Sequence, residues 1–228
     1  MRAAGTPCGD TVYPAKMTDD RGVANPDSFD LNPDAWAAWR PEEVALLLAN
    51  VQTPWYVAGG WAIDLFLGGQ RREHEDLDIA VPYGRFHELV PVLAGYDLFL
   101  IGGQPRRAWP LAQAGDASEP EHSVRASDPA SGFWRFGIFR ERYDGNTWIC
   151  RRDARIRLPY DRVVASTSDG LPYVRPEIAL LFKGKAPRPK DDDDFAAAVP
   201  HLTPAARRWL ATALALVYPG HRWLADLG

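Results

Sequence analysis

The chain has 228 residues, of which 46% are apolar and 25% are charged, with a formal net charge of −4 at pH 7. These values are those of an ordinary soluble globular protein, long enough to bury a substantial core in one large domain or two small ones. Because acidic residues outnumber basic ones, the protein has no overall positive potential that would attract nucleic acid. This argues against a nucleic-acid partner, although a local basic groove would still permit one.

Membrane and export signals are missing from the sequence pattern. No apolar run approaches the roughly 18 to 20 residues that cross a bilayer. The first residues lack the charged-then-apolar pattern of a signal peptide. The two cysteines, Cys8 and Cys150, are far apart and do not indicate a disulfide framework. We therefore expect a cytoplasmic protein with no membrane partner.

The N-terminal part combines an aperiodic segment with helix signals. Residues 1–25 mix small and polar residues without periodicity, which predicts a flexible tail. Asp34 is a candidate N-cap for a short helix from Ala35 to Arg40. Pro41, followed by two glutamates, is a strong signal for the start of the next helix.

The stretch from Tyr56 to Val81 organises the rest of the chain. An apolar segment, residues 55–58, predicts a short buried strand and is followed by the pair Gly59-Gly60. Residues 61–67 then read as a helix. From Asp76 to Val81 polar and apolar residues alternate, which is the period of a half-buried strand.

Two carboxylates come from this last segment. Side chains two apart on a strand point the same way, so Asp76 and Asp78 share one face while Leu77 and Ile79 face the core. Hard oxygen ligands of this kind suit Mg²⁺, which usually takes one or two carboxylates together with substrate phosphates. The glycine pair lets the backbone approach phosphate oxygens, and a helix N-terminus offers unpaired N–H donors. The pattern is that of a divalent-metal nucleotide site.

The middle of the chain predicts further sheet and helix. Residues 85–93 are apolar on one side and read as an amphipathic helix. Residues 96–101 read as a strand. Residues 133–139 and 147–151 look like a hairpin joined through the turn dipeptide Asp144-Gly145.

From Pro176 the pattern becomes helical. Residues 176–183 are apolar on one face, the aspartates at 191–194 can cap a second helix, and Thr203-Pro204 opens a third. The order of elements predicts an α+β fold, with a small mixed sheet and flanking helices over residues 26–171 and a helical C-terminal part over residues 172–228.

Two segments carry a resemblance to a known family. Residues 59–64, GGWAID, and residues 72–79, REHEDLDI, resemble the signature of the polymerase-beta-type nucleotidyltransferases. The nearest branch is that of bacterial aminoglycoside and lincosamide adenylyltransferases. The resemblance implies that residues 26–171 form a nucleotidyltransferase domain. It also implies that metal ions coordinated by Asp76 and Asp78 bind the triphosphate while an acceptor hydroxyl attacks the alpha phosphate.

A second signature follows in the C-terminal part. Residues 180–185 and 189–195 are similar to the branch's pattern of a lysine ending one helix and a Lys-Asp pair opening the next. The resemblance thus extends over about residues 35–228. It implies that the nucleotide is bound by the backbone or side chains of six residues besides the metal ligands: Gly59, Gly60, Arg72, Lys183, Lys190 and Asp191.

One departure from the family pattern concerns a third carboxylate. The superfamily normally carries it on a later strand, where it completes the metal site or acts as the base. The matching position here is Gly137. Glu141 points to the same face of the strand as Gly137, but it lies four residues further on, about 13 Å away at ~3.3 Å per residue. Asp144 lies in the turn. Neither is a simple replacement.

We therefore expect an Mg²⁺-dependent transferase that moves a nucleoside monophosphate from ATP, or another nucleoside triphosphate, to a hydroxyl of a small molecule and releases pyrophosphate. An aminoglycoside-like antibiotic fits the acidic balance of the chain and its nine tryptophans. Two alternatives stay open: a toxin-like relative that modifies an RNA, and a nucleotide-binding module that has lost catalysis with its third carboxylate.

Overall fold

The computed structural model describes residues 32, 34–102, 107–111 and 123–228. Leu31–Gly228 forms one compact unit. The predicted tail over residues 1–25 lies outside the described residues. Within the described part, no helix combines the length and apolar character required to span a bilayer.

The centre of the protein is a mixed sheet of eight strands, in the order β10-β11-β1-β2-β6-β5-β3-β4. A separate three-stranded antiparallel sheet has the order β7-β8-β9. The strands are β1 Tyr56–Val57, β2 Asp78–Pro82, β3 Asp97–Gly102, β4 Arg107–Pro110, β5 Ser123–Ser127, β6 Trp134–Glu141, β7 Tyr143–Asp144, β8 Thr147–Ile149, β9 Arg157–Pro159, β10 Val164–Ser166 and β11 Pro172–Val174.

Strand β2 lies between β1 and β6 and is almost wholly buried. Ile79 and Val81 are fully buried, as is Leu77 just before the strand, which confirms the predicted core face. The strand begins at Asp78, so Asp76 lies in the preceding loop rather than in the strand. The neighbouring β1 has only two residues before the chain turns into a helix, and Ala58 N–H continues the pairing with a hydrogen bond to the Asp78 carbonyl at 2.8 Å.

Among the described residues, five α-helices accompany the sheet. The prolines at positions 41, 176 and 204 begin helices as predicted, and the Thr203 hydroxyl accepts a hydrogen bond from Ala206 N–H at 3.2 Å. The second helix packs against the third and fourth, and the third against the fifth. The α+β fold class is confirmed. The helices are α1 Pro41–Leu47, α2 Gly59–Phe66, α3 Pro176–Lys183, α4 Pro189–Ala198 and α5 Pro204–Val217.

Two predicted helices are wrong. Residues 35–40 do not form a helix, because Ala37 N–H and Trp39 N–H donate to the carbonyls of Trp134 and Arg135 of β6, at 3.1 and 2.9 Å. Residues 85–93 do not form one α-helix. A 3₁₀ helix covers Tyr83–Glu88, and turns follow it.

The predicted hairpin is only partly correct. The Asp144-Gly145 turn does join two paired strands, but these are β7 and β8. Strand β6 instead pairs with β2 and β5 in the large sheet. Phe136 and Ile138 of β6 are fully buried, and such an apolar strand is most stable in the middle of a sheet. The division between residues 171 and 172 stays a prediction.

Candidate functional site

A cleft of about 510 Å³ opens where β2 and α2 begin. Its walls come from the sheet, from the loop that follows β8 and from the helices α3 and α4. All eight residues named from the sequence line this cleft. One of them, Lys190, also contacts Glu75, which lies 115 positions earlier in the chain. The eight residues are Gly59, Gly60, Arg72, Asp76, Asp78, Lys183, Lys190 and Asp191.

A second cavity has a similar volume, about 470 Å³. Tyr173, Glu177 and Trp209 are among its lining residues. It contains neither the aspartate pair nor the glycine turn, so the chemistry predicted from the sequence belongs to the first cleft.

The glycine pair brings the start of α2 against Asp78. Gly59 has φ +65°, a left-handed conformation that favours glycine, and a Cβ there would lie 3.6 Å from Asp78 Oδ2. A Cβ at Gly60 would lie 2.3 Å from Arg72 Nη2 and would collide with it. The N-cap residue Ala58 offers no side-chain acceptor to the first turn of α2. The backbone N–H groups of this turn are therefore suited to bind an anion.

The loop that carries Asp76 is anchored on α2. His74 Nε2 lies 2.7 Å from Asp64 Oδ2, and the His74 ring stacks on Trp61 with centroids 4.4 Å apart. Arg71 N–H donates to the same Asp64 oxygen at 3.0 Å. Burial lowers the pKa of His74, and the Asp64 carboxylate only partly opposes this. Through these contacts with α2, His74 holds the loop in place.

Arg72 joins the two signatures through α4. Its Nε and Nη2 donate to the two carboxylate oxygens of Asp194 at 3.1 and 3.0 Å. Lys183 Nζ lies 2.9 Å from Asp194 Oδ2 and 2.8 Å from Asp191 Oδ1. Burial by itself would raise the pKa of Asp194, but the hydrogen bond from Arg72 and the charge of Lys183 outweigh it, and the pKa is lowered. A buried ion network thus fixes α3 and α4 against the motif loop.

Asp191 and Lys190 differ in their surroundings. Asp191 is 2% exposed and also accepts hydrogen bonds from the backbone and side chain of Arg188, at 3.0 and 2.9 Å. Lys190 Nζ bonds Glu75 Oε2 at 3.0 Å near the solvent. Asp191 is therefore fully engaged by cations of the protein, whereas Lys190 is held at the cleft rim by one exposed carboxylate.

Gly137 lies directly beside Asp78. The two residues are partners in the parallel pairing of β2 and β6, and Gly137 N–H donates to the Leu77 carbonyl at 2.7 Å. A Cβ at Gly137 would lie 2.3 Å from Asp78 Oδ1, so the Asp78 carboxylate occupies the space that a side chain would use. In the described part of the chain, no three His, Cys, Asp or Glu side chains are grouped to hold a metal.

The aspartate pair fits Mg²⁺ all the same. Asp76 and Asp78 line one cleft with an uncapped helix N-terminus beside them. Mg²⁺ is usually bound by one or two carboxylates and completes its shell with water and substrate phosphates. Two carboxylates are therefore enough for a metal that arrives with a nucleotide.

Several residues of the cleft were not predicted from the sequence. Glu141, which had been set aside, is 8% exposed and accepts hydrogen bonds from the Tyr56 hydroxyl and, at 2.5 Å, from Trp148 Nε1. Burial raises its pKa, although both donors act in the other direction. Arg151 and Arg152, from the loop after β8, also line the cleft. The strand period placed Glu141 on the correct face, but no local signal pointed to the two arginines.

Comparisons with known proteins agree with this geometry. The family model of aminoglycoside-2''-adenylyltransferases matches residues 42–99, which include the glycine pair and both aspartates. No curated protein matches the sequence.

Three solved structures are similar to this chain. The antibiotic-resistance factor ANT(2'')-Ia is 14% identical, with a TM-score of 0.50 over 78% of this chain and 90% of that one. ANT(2'')-Ia in complex with adenylyl-2''-tobramycin is 13% identical, with a TM-score of 0.50 over 77% and 95%. The lincosamide antibiotic adenylyltransferase LnuA, with lincomycin bound, is 19% identical, with a TM-score of 0.48 over 68% and 92%.

The family match includes residues 59–64 and 72–79, the two segments that resemble the nucleotidyltransferase signature. The ANT(2'')-Ia structures have the same fold as this chain. The chain is thus similar to aminoglycoside-2''-adenylyltransferases over residues 42–99 and shares the fold of ANT(2'')-Ia.

Proposed function

We propose that the protein is a metal-dependent nucleotidyltransferase that acts on a small molecule. It moves a nucleoside monophosphate from ATP, or another nucleoside triphosphate, to a hydroxyl of the acceptor. The acceptor oxygen forms a bond to the alpha phosphorus, the bond from that phosphorus to the bridging oxygen breaks, and pyrophosphate leaves. The hydroxyl proton passes to solvent.

The metal site consists of Asp76 and Asp78, which would hold Mg²⁺. The metal neutralises charge on the phosphates, which is the main requirement of a phosphoryl or nucleotidyl transfer. Gly59 lets α2 begin against Asp78, so that backbone N–H donors and carboxylates face the same volume. This juxtaposition is the observation on which the proposal rests.

The triphosphate is bound by the glycine turn and by cations on the opposite wall. Lys183 and Lys190 line the cleft from α3 and α4, and Arg72 lines it from the motif loop. Arg72 and Lys183 are already paired with buried carboxylates. Their positive charges are therefore fixed in the cleft wall and do not move to meet the phosphates. We assign Asp191 to the placement of Lys183, which it contacts at 2.8 Å.

The acceptor is inferred from the branch. One of the similar structures contains adenylyl-2''-tobramycin, which is an adenylylated antibiotic. We therefore propose a small hydroxylated acceptor of antibiotic-like size for this protein. Such a reaction would give resistance to the compound that it modifies.

A direct test is the release of pyrophosphate from each of the four nucleoside triphosphates over a panel of hydroxylated antibiotics. We expect release that needs Mg²⁺, stops with EDTA and is matched by an acceptor whose mass rises by one nucleotidyl group. Asp78→Asn should lower the rate about 10²- to 10³-fold, because it weakens metal binding. Asp193→Asn, at an exposed position of α4, is the matched control and should leave the rate unchanged.

A second candidate function is favoured by Gly137. With no carboxylate beside Asp78 on β6, the protein could bind a nucleotide and metal without transferring the nucleotidyl group. Mg²⁺-dependent nucleotide binding without turnover for any acceptor would select this candidate. Turnover with RNA alone would instead select a toxin-like activity.

A further inference from the structure

We propose that the acceptor carries an anionic group, a carboxylate or a phosphate, and that Arg151 and Arg152 bind it. This inference rests on the proposed function and names the class of acceptor for the same cleft. It separates the protein from enzymes whose acceptors are polycations.

The two arginines are held in place by aromatic rings. The guanidinium carbon of Arg151 lies 4.7 Å from the ring centroid of Phe139 and 5.0 Å from that of Phe182. The guanidinium carbon of Arg152 lies 5.7 Å from the Phe182 centroid. Stacked guanidinium groups lose little further entropy when they bind a ligand, so this arrangement is preorganised.

Apart from these rings, neither guanidinium has a hydrogen-bonding partner among the described residues. Arg151 and Arg152 form no ion pair or side-chain hydrogen bond there, and the Nε atoms of both are buried without an acceptor. Buried polar groups in folded proteins are nearly always satisfied, and an exception needs an explanation. Four of the five other cationic residues that line the cleft, Arg72, Lys183, Arg188 and Lys190, meet carboxylates.

The carboxylates of the cleft do not favour a polycationic acceptor. Asp191 is engaged by Lys183 and Arg188, and Glu141 by Tyr56 and Trp148. The proposed function assigns Asp76 and Asp78 to the metal. The cleft thus presents unpaired cations and an aromatic wall to an acceptor, and among its described residues no uncommitted carboxylate.

The position of the arginines points to the acceptor rather than to the triphosphate. The glycine turn and the lysines of α3 and α4 supply the donors for the phosphates. Arg151 belongs to the loop after β8 and stacks on Phe139, two residues beyond Gly137 on β6. A guanidinium there can form paired hydrogen bonds with a carboxylate or phosphate.

The test uses three probes that share a sugar ring and differ in charge: glucose 6-phosphate, glucose and glucosamine. Each is titrated by calorimetry into the full chain saturated with Mg²⁺ and a non-hydrolysable ATP analogue. We expect glucose 6-phosphate to bind at least tenfold more tightly than either other probe. Arg151→Met, which keeps the packed stem, should remove that preference and change the affinity for the ATP analogue less than twofold.

Two further variants control the experiment. Arg155→Met, at an exposed residue of the same loop, should keep the wild-type preference. Arg152→Met should also reduce the preference, which guards against a folding defect peculiar to Arg151→Met. Equal or absent binding of the three probes, or tighter glucosamine binding, overturns the inference. So does an Arg151→Met variant that weakens only the ATP analogue. Failure of the ATP analogue to bind wild-type protein would instead count against the proposed function.

Discussion

Gly137 and Asp78 are cross-strand partners, and a Cβ at position 137 would lie 2.3 Å from Asp78 Oδ1. That oxygen is at the end of a short side chain that can rotate, so a larger residue can enter if the carboxylate turns away. Gly137→Asp would then place a second carboxylate beside the first. If a base limits the reaction, we expect turnover to rise by about 10²-fold, at the low end of what a general base contributes.

The matched control for this change is Gly137→Ala. It demands the same movement of Asp78 but adds no carboxylate, so its turnover should not exceed that of the wild type. Steady-state pyrophosphate release measures both variants. Equal rates for Gly137→Asp and Gly137→Ala would show that position 137 contributes no base to this site.

Glu141 gives a pH-dependent prediction at the same scale. Burial raises its pKa above the ordinary value of 4.5, so the folded state keeps this proton to a higher pH than the unfolded chain does. Its contribution to stability is therefore present at low pH and is lost as the pH rises from 4.5 through the raised value. The unfolding free energy of the wild type relative to Glu141→Gln should fall across this window. Urea unfolding at a series of pH values measures it, and a difference that grows with pH would contradict the assignment.

At the scale of elements, the strongest tie between the motif loop and the C-terminal helices is Asp194. Its side chain is 1% exposed and is paired with Arg72 and Lys183. Asp194→Ala leaves both cations partly uncompensated, and we expect it to lower the unfolding free energy by about 3 kcal/mol, as when one partner of a buried pair is lost. Asp193→Ala, one residue earlier and exposed, should leave the denaturation midpoint unchanged. Equal midpoints for the two variants would show that the network is dispensable.

The elements also show which kinds of sequence signal are reliable. Proline and threonine start signals gave the helices at Pro41, Pro176 and Pro204, because they act on their own backbone. The helix expected over residues 35–40 does not form, because Ala37 N–H and Trp39 N–H donate to the carbonyls of Trp134 and Arg135. The sequence around residues 35–40 gives no sign of these acceptors, because they belong to a distant part of the chain. The same limit applies to β6, whose parallel neighbour β2 comes from a distant part of the chain.

At the scale of the whole molecule, both halves of the sequence contribute to one cleft. The motif residues Gly59, Asp76 and Asp78 could be named from their spacing together with the family resemblance, since the chemistry of a metal and a triphosphate demands those residue types. Arg151 could not, because its role depends on its stacking between Phe139 and Phe182. Recognition of the acceptor is thus the part of the site that the folded structure adds to the sequence.

The most direct test of the account is calorimetric titration of the full chain with a non-hydrolysable ATP analogue, with and without Mg²⁺. We predict that Mg²⁺ tightens binding of the analogue at least tenfold in the wild type. Asp78→Asn should abolish that gain, whereas Asp193→Asn should retain it, because only Asp78 lies beside the glycine turn. Binding that is indifferent to Mg²⁺, or a gain that survives in Asp78→Asn, would contradict the assignment of the aspartate pair to a metal-bound nucleotide.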